Sequence, residues 1–416
     1  MSFDSAHQYK QVVSGDWNTI SPIIMVLLWS IANQIIEGPG GLFLFFYLLF
    51  WLGLIIFTYN LRFNFWIKTL VIIAISMWPY NMMILPHLWK DIGLISFLIF
   101  AIGFIKLHLK TEKKYPIWIA LVTLMIASMF RFESIVYISI LQFYTILLIL
   151  RSYQKQHNII LKTIGCVILV FVISILLSKT VIKLTGTKKV ILWQTIALWD
   201  LSRVSVKVDR VLLPEFTIGE AMTVDELSTT TVPWTNTHLF SKTKSGINAG
   251  LLTPYKQEQY SILFKKWLSM MATYPIEYLT HRLEVTRELL RINESSNKPI
   301  DLYYSRMMYD FKDKFELNKS PLNKKITHGI NSLLGNLVFK GWVYFVFLIL
   351  VFILFSMTKR SRQSEFIKAI SLSGISSVVI LSFVSPSAEQ RYLIWLFNSS
   401  IFILPLLLEK ALYKQN

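Results

Sequence analysis

Long apolar runs broken by short polar turns dominate the chain, and the runs lack the striping of soluble amphipathic helices. Apolar blocks lie near 42–59, 69–86, 91–106, 116–130, 134–150 and 161–178, and a long polar stretch follows them. Three more blocks, 341–357, 366–384 and 391–408, come near the end. Runs of roughly 18 or more apolar residues match the ~30 Å hydrocarbon core of a bilayer, so about nine transmembrane helices are predicted. The earlier segment 20–36 (ISPIIMVLLWSIANQII) is shorter and carries Ser30, Asn33 and Gln34. It either spans or lies along the interface. The expected fold class is an all-α polytopic membrane protein, with about 9–10 transmembrane helices and a mainly helical external module between the sixth and seventh.

Within the polar stretch, a helix is predicted around Ile191–Val204 and helical pattern from Gln257 to Ile292, interrupted near Pro275. Tyr278, Leu279, Arg282, Leu283 and Leu290 are spaced there for one face. Pro214, Gly219 and the run Ser228-Thr229-Thr230-Thr231 punctuate an irregular middle. Four regions are expected: an acidic external loop with an interfacial helix (1–36), an N-terminal bundle (37–178), the external module (179–338) and C-terminal membrane helices (339–416).

Composition narrows the class. Of 416 residues, 54% are hydrophobic and only 16% charged, well under the usual share for a soluble enzyme. Cys166 is the single cysteine, which excludes an intrachain disulfide scaffold. The net charge of +18 is a question of membrane side, because no soluble basic module is present to bind nucleic acid. One set of alternate loops is rich in cations: Arg62 and Lys68; Lys110, Lys113 and Lys114; Arg151, Lys155 and Lys162; Lys359, Arg360, Arg362 and Lys368; Lys410 and Lys414. The opposite short loops carry only Lys90, Arg131 and Arg391. The rich set is therefore expected to be cytoplasmic, with the C-terminus inside a bacterial inner membrane and 179–338 outside.

Candidate chemistry clusters at the expected outer ends of the spans. Asp4, His7 and Gln8 stand near the start, Lys90 and Asp91 in PHLWKD, Arg131 and Glu133 in MFRFES, and Glu389 and Arg391 in SPSAEQRYL. A carboxylate in such a place accepts a proton from an alcohol nucleophile, and a cation holds a phosphate leaving group. Each group also has a plainer reading. Asp91 suits the positive end of a helix. Arg131 and Glu133 can simply pair, and Arg391 can anchor the interface with Tyr392 and Trp395. The cations of 179–338 are either a solvated surface or an attraction for anionic head groups or a pyrophosphate-bearing glycolipid. The histidines at 87, 108, 157, 238, 281 and 328 lack metal-ligand spacing, and the metal requirement stays open. No P-loop, dinucleotide fingerprint, nucleophile elbow or zinc motif is present, which excludes ATP-driven transport by this chain alone.

The order of these clusters resembles the GT-C superfamily of membrane glycosyltransferases, which use polyprenyl-phosphate-linked sugars on the outer face. FDSAHQYKQVVSGDWNTISPIIMVLL followed by EGPGGLFLFFYLL is similar to that superfamily's acidic first loop and interfacial helix. PHLWKDIG resembles its second external loop, and YPIEYLTHRLEV and AEQRYLIWL resemble stretches of its bacterial surface-polysaccharide members. The likeness is diffuse but covers most of the chain. It implies Asp4 as the catalytic carboxylate, Lys90 and Asp91 as second-loop polar residues and Arg391 as a late cation near the lipid phosphate; with His7, Gln8, Arg131 and Glu133 of the same polar clusters, these are the expected substrate-binding residues. It also implies a lipid-linked sugar as co-substrate and a glycan or glycolipid acceptor as partner, beside the membrane lipids. Members place a span before the acidic loop, whereas Asp4 here is the fourth residue. A repeat-unit polymerase of the O-antigen type and a glycolipid flippase are the alternatives.

Overall fold

A computed structural model of the chain describes residues 3–153, 158–218, 222–242, 246–251, 254–292, 321–333 and 335–413. Lys155, His157, Gly219, Lys414 and the stretch 293–320 lie outside the described residues. Among those described, every regular element is helical. In chain order the helices are α1 (Phe3–Ser14), α2 (Ile23–Ile35), α3 (Gly40–Tyr59), α4 (Phe65–Ser76), α5 (Pro79–Ile84) and α6 (Lys90–Thr111). Then come α7 (Tyr115–Ala127), α8 (Ser134–Tyr153), α9 (Ile159–Leu184), α10 (Trp193–Lys207), α11 (Val224–Thr230) and α12 (Thr237–Lys242). The last six are α13 (Gln257–Thr273), α14 (Pro275–Leu289), α15 (Pro321–Leu333), α16 (Gly341–Met357), α17 (Arg362–Val384) and α18 (Ile394–Leu412).

Six of the nine expected spans appear as helices long and apolar enough to cross a membrane: Gly40–Tyr59, Lys90–Thr111, Ser134–Ser152, Ile159–Leu184, Arg362–Val384 and Gln390–Leu412. The other three are shorter. The run 69–86 is not one helix: α4 stops at Ser76 and α5 begins at Pro79. Proline lacks the amide hydrogen a continuing helix needs, and its ring disfavours helical backbone just before it. Asn81 Nδ2 donates to the Ile75 carbonyl at 2.9 Å, so an oxygen at the frayed end is satisfied. The block 116–130 shortens to the 13 residues of α7, and α16 has 17. Segment 20–36 becomes the 13-residue α2, about 20 Å long and short of a bilayer core. The expected acidic loop at the start is instead the helix α1.

The chain forms two compact units. The first comprises Met1–Lys188, Pro299–Val378 and Ile394–Asn416; the second comprises Lys189–Lys298 and Val379–Leu393. The division departs from the expected 179–338 region, since 299–338 falls in the first unit and 379–393 in the second.

In the first unit α3 crosses α6 closely. A Cβ added at Gly53 would lie 2.5 Å from the Phe100 amide nitrogen, and one at Gly103 would lie 2.5 Å from the Gly53 carbonyl. Small residues that admit such backbone approach are what hold helices together where lipid removes the hydrophobic drive. The 26-residue α9 shows that solvent from the other side: its mean hydropathy is 2.8, yet Ile168, Leu169 and Leu176 are all more than half exposed. An apolar surface of that kind suits a hydrocarbon environment.

The second unit has its own core. Leu198, Trp199, Leu201 and Val204 of α10 are buried with Leu263 of α13 and Val285 of α14. The predicted helices at 191–204 and 257–292 appear, and Pro275 starts α14 at the predicted interruption. Its buried face matches the expected one in part: Arg282 and Leu290 are buried, and Tyr278 packs against the core. Leu279 and Leu283 are exposed, while His281, Arg282, Val285 and Leu289 turn inward. The Ser/Thr run is less irregular than expected, because Ser228, Thr229 and Thr230 complete α11, capped by Thr223 Oγ1 on the Glu226 amide.

Candidate functional site

Seven of the eight candidate residues belong to the first unit, and local structure places each. Asp4, His7 and Gln8 are spaced i, i+3, i+4 on α1 and so share one helical face. Gln8 is buried, whereas Asp4 and His7 are half-buried. The helix is fastened on two sides. Ser5 Oγ donates to the Leu88 carbonyl at 2.9 Å, tying α1 to the loop that leads into α6. Tyr9 packs on Trp29 of α2 with ring centroids 5.3 Å apart. Gln11 Nε2 donates to Ser21 Oγ at 2.9 Å, and Gln11 Oε1 accepts from the Asn18 amide at 3.0 Å. Asp4 therefore sits one residue from a contact with the segment carrying Lys90 and Asp91.

Lys90 and Asp91 open α6, with the carboxylate in its first turn. There the partial positive charge of the helix start favours an anion. Asp91 is fully buried and ion-paired to Arg131 Nη1. Arg131 comes from the tight turn between α7 and α8, where Ser134 Oγ donates to its carbonyl at 2.6 Å. Its Nε donates to Glu133 Oε1 at 2.5 Å, and its Nη2 pairs with the same carboxylate. One guanidinium thus lies between two carboxylates. Burial raises the Glu133 carboxyl, but the charges of Arg131 and Lys90 outweigh it and hold the group below the usual carboxylate range. The plainer reading of Arg131 with Glu133 as partners holds, and Asp91 adds a third member.

Arg391 belongs to the second unit. It lies in the turn Gln390–Leu393, with Nε 2.5 Å from Glu389 Oε2 and its guanidinium 5.4 Å from the Tyr392 ring centre.

Three buried polar groups escaped the reading of the sequence. In the second unit Asp200 of α10 and Arg282 of α14 are almost wholly buried. Arg282 Nη2 stands 2.6 Å from Asp200 Oδ1 and 2.7 Å from Oδ2. Trp267 Nε1 donates to Oδ2 at 2.9 Å, and His281 Nε2 lies 3.2 Å from Oδ1. Burial raises the Asp200 carboxyl, but Arg282 and His281 hold it below the ordinary range; burial pushes the His281 imidazole down. In the first unit Lys106 Nζ pairs with Glu409 at 2.6 Å. That pair lies about 24 Å along α6 from Lys90. Gln363 Nε2 also donates to Glu409, at 3.0 Å, and the Arg62 amide donates to its other oxygen at 2.8 Å. Finally, Asn81 and Asn398 exchange two amide hydrogen bonds of 3.0 Å inside apolar blocks. A lone Asp in IALWDLSRV and a lone Glu in LLLEKAL were the available signals, since a single charge in an apolar helix needs a buried partner.

Among the described residues, no group of three or more His, Cys, Asp or Glu is arranged to hold a metal ion. No family model, curated protein or solved structure matches the chain.

Proposed function

We propose that this chain is a multi-pass inner-membrane glycosyltransferase that moves a sugar from a polyprenyl phosphate to a glycan or glycolipid on the outer face. The observation that supports it most is the meeting of α1 with the Leu85–Trp89 loop through Ser5 and Leu88, beside the clamp of Asp91, Arg131 and Glu133. Residues distant in sequence, all picked for the same chemistry, thereby share one end of the first unit. The C-terminus and the cation-rich loops are assigned to the cytoplasm, and this end to the outer face, by their charge asymmetry.

In the reaction, the acceptor hydroxyl gives its proton to the Asp4 carboxylate as its oxygen bonds to the anomeric carbon. The bond from that carbon to the phosphate oxygen breaks, and the electron pair leaves with the lipid phosphate. Positive charge near that phosphate lowers the barrier; Lys90 is the first-unit cation assigned to it, with Arg131 setting the local field. Gln8 and His7, on the face of Asp4, are assigned to the acceptor. Arg391 is a separate candidate for the phosphate, with its own test below. Because the lipid-linked donor is already activated, no nucleotide is consumed.

The test uses full-length protein in lipid nanodiscs with a polyprenyl-phosphate sugar and a glycolipid acceptor. Transfer by the wild type, lost in Asp4→Asn by about 10²-fold or more, is expected of a general base. Unchanged turnover in that variant removes the assigned base. Acceptor chains that lengthen by whole repeat units, without a single-sugar step, would replace the transferase with a polymerase.

A further inference from the structure

The buried clamp of the second unit has no place in the mechanism above, and its chemistry asks for one. Taking an aspartate and an arginine out of water is expensive, and well-packed apolar side chains often serve stability as well. The feature that sets Arg282 apart is its second partner. While Nη2 holds Asp200, Nη1 donates to the Ser385 carbonyl at 3.1 Å. Ser385 begins a strap, 385–393, that carries Arg391 and belongs to the same unit.

The strap is ordered by successive backbone contacts. Asn236 N donates to the Pro386 carbonyl at 3.3 Å, and Ala388 N donates to the Trp234 carbonyl at 2.8 Å. Ser385 Oγ donates to the Ser387 carbonyl at 2.5 Å, and Ser387 Oγ lies 3.2 Å from Glu389 Oε1 and 3.3 Å from the Tyr392 hydroxyl. Arg391 then sits between the Glu389 carboxylate and the Tyr392 ring, with its side chain 13% exposed. Of these anchors, Arg282 is the one made by a buried charge. Its guanidinium is fixed by both oxygens of Asp200 and lies 5.7 Å from the Trp199 ring centre.

We propose that Arg282 is a positioning residue: it pins the 385–393 strap so that Arg391 faces a lipid-linked phosphate with Glu389 as its resting partner. This rests on the transferase reading, which supplies the polyprenyl phosphate. The incoming phosphate exchanges with Glu389 at the guanidinium, one anion replacing another, and no covalent bond changes. Phosphate and carboxylate both match the guanidinium fork, so the exchange needs the arginine in place and a carboxylate able to let go.

The experiment measures binding of a fluorescent polyprenyl phosphate to the full-length protein in nanodiscs, together with amide hydrogen exchange of peptides covering 385–393. Arg391→Ala is expected to lose the binding. Arg282→Lys keeps the charge beside Asp200 but gives up the fork, and should weaken binding about five- to tenfold, the scale of one hydrogen bond. The same variant should speed exchange within 385–393. Arg282→Lys added to Arg391→Ala should weaken binding no further, because both act through one contact. Should Arg282→Lys not fold, Asp200→Asn loosens the same guanidinium from its other side and is read the same way. Excess inorganic phosphate and phosphatidylglycerol serve as competitors: displacement by either as effective as by unlabelled polyprenyl phosphate overturns lipid-linked specificity. Wild-type binding that Arg282→Lys leaves intact, or unchanged exchange in 385–393, overturns the positioning role alone. Absence of wild-type binding instead overturns the transferase reading, and the role for Arg391 with it.

Discussion

Each unit buries an arginine against carboxylate, but the two clamps are built from different distances along the chain. In the first unit Arg131 meets Glu133 two residues away and Asp91 forty residues away, all in short turns between apolar helices. Two carboxylates share one cation there. In the second unit Arg282 meets a single carboxylate, Asp200, 82 residues away across two helices. His281 and Trp267 surround the same aspartate. The neutral neighbours of the first clamp include the phenols of Tyr80 and Tyr137, which do not take up a proton. The second has an imidazole that can take or release a proton. Burial alone does not make such sites equivalent; what separates them here is the imidazole that can accept a proton beside Asp200.

That contrast predicts different costs for the same substitution. Arg131→Met takes from Asp91 and Glu133 the guanidinium they share, leaving Lys90 as a nearby cation, and should cost about 3–5 kcal/mol, the range for breaking a buried pair. Thermal unfolding in detergent, followed by tryptophan fluorescence, should show a large downward shift of the midpoint. Arg282→Met should cost less, roughly 2–3 kcal/mol, because Asp200 keeps the Trp267 N–H and can draw a proton onto His281. Equal shifts for the two variants would end the distinction. A loss under about 1 kcal/mol at Arg131 would mean that water reaches the first clamp.

The same difference in span decides what the sequence could reveal. Apolar blocks announced six long helices, and short polar turns announced Lys90, Asp91, Arg131 and Glu133, because both signals lie within a few consecutive residues. The break at Pro79 was also written in the chain, yet a purely apolar count carried the run 69–86 across it. Partners 82 residues apart leave a fainter trace, a lone Asp in IALWDLSRV that names no partner. Asp200 and Arg282 look like ordinary charges on amphipathic helices until α10 and α14 pack together. On α14 Arg282 and Leu290 turn inward as expected, but Leu279 and Leu283 do not, and the core takes His281 beside Asp200 instead. A helical reading of Phe3–Ser14 was missed as well, because its apolar positions, Ala6 and Tyr9 among them, are few and lie among polar residues such as Ser5, which bonds to Leu88.

Acid should separate the clamps by a smaller margin. Burial holds His281 neutral in the folded protein, below its ordinary pKa near 6.5. The unfolded chain then binds more protons as pH falls through that value, so stability drops from about pH 6.5 downward. The Asp200 carboxyl, held low, adds a loss only at pH values below the ordinary carboxylate range. His281→Gln should flatten the fall in unfolding midpoint between pH 7.5 and 5. In Arg282→Met the fall should also shrink, since removal of the neighbouring positive charge lets His281 accept its proton more readily. A wild-type midpoint that is level across this window would contradict a buried neutral imidazole.

An exposed pair gives the baseline against which both clamps are judged. Lys188 Nζ lies 2.8 Å from Asp16 Oδ1, close to the bond that Thr19 N makes to the Lys188 carbonyl, yet both side chains are more than 60% exposed. Water solvates each charge almost as well as its partner does, and ordering two long side chains offsets what attraction remains. Lys188→Ala should therefore change stability by less than about 0.5 kcal/mol, and that change should vanish in high salt. The backbone bond from Thr19 is untouched by the substitution, so docking of the segment after α1 does not depend on the pair. A midpoint shift as large as that of Arg282→Met would show that ion pairs in this protein act irrespective of burial. The contrast between the clamps would then lose its physical basis, because both rankings assume that removal from water is what makes an unpaired charge costly.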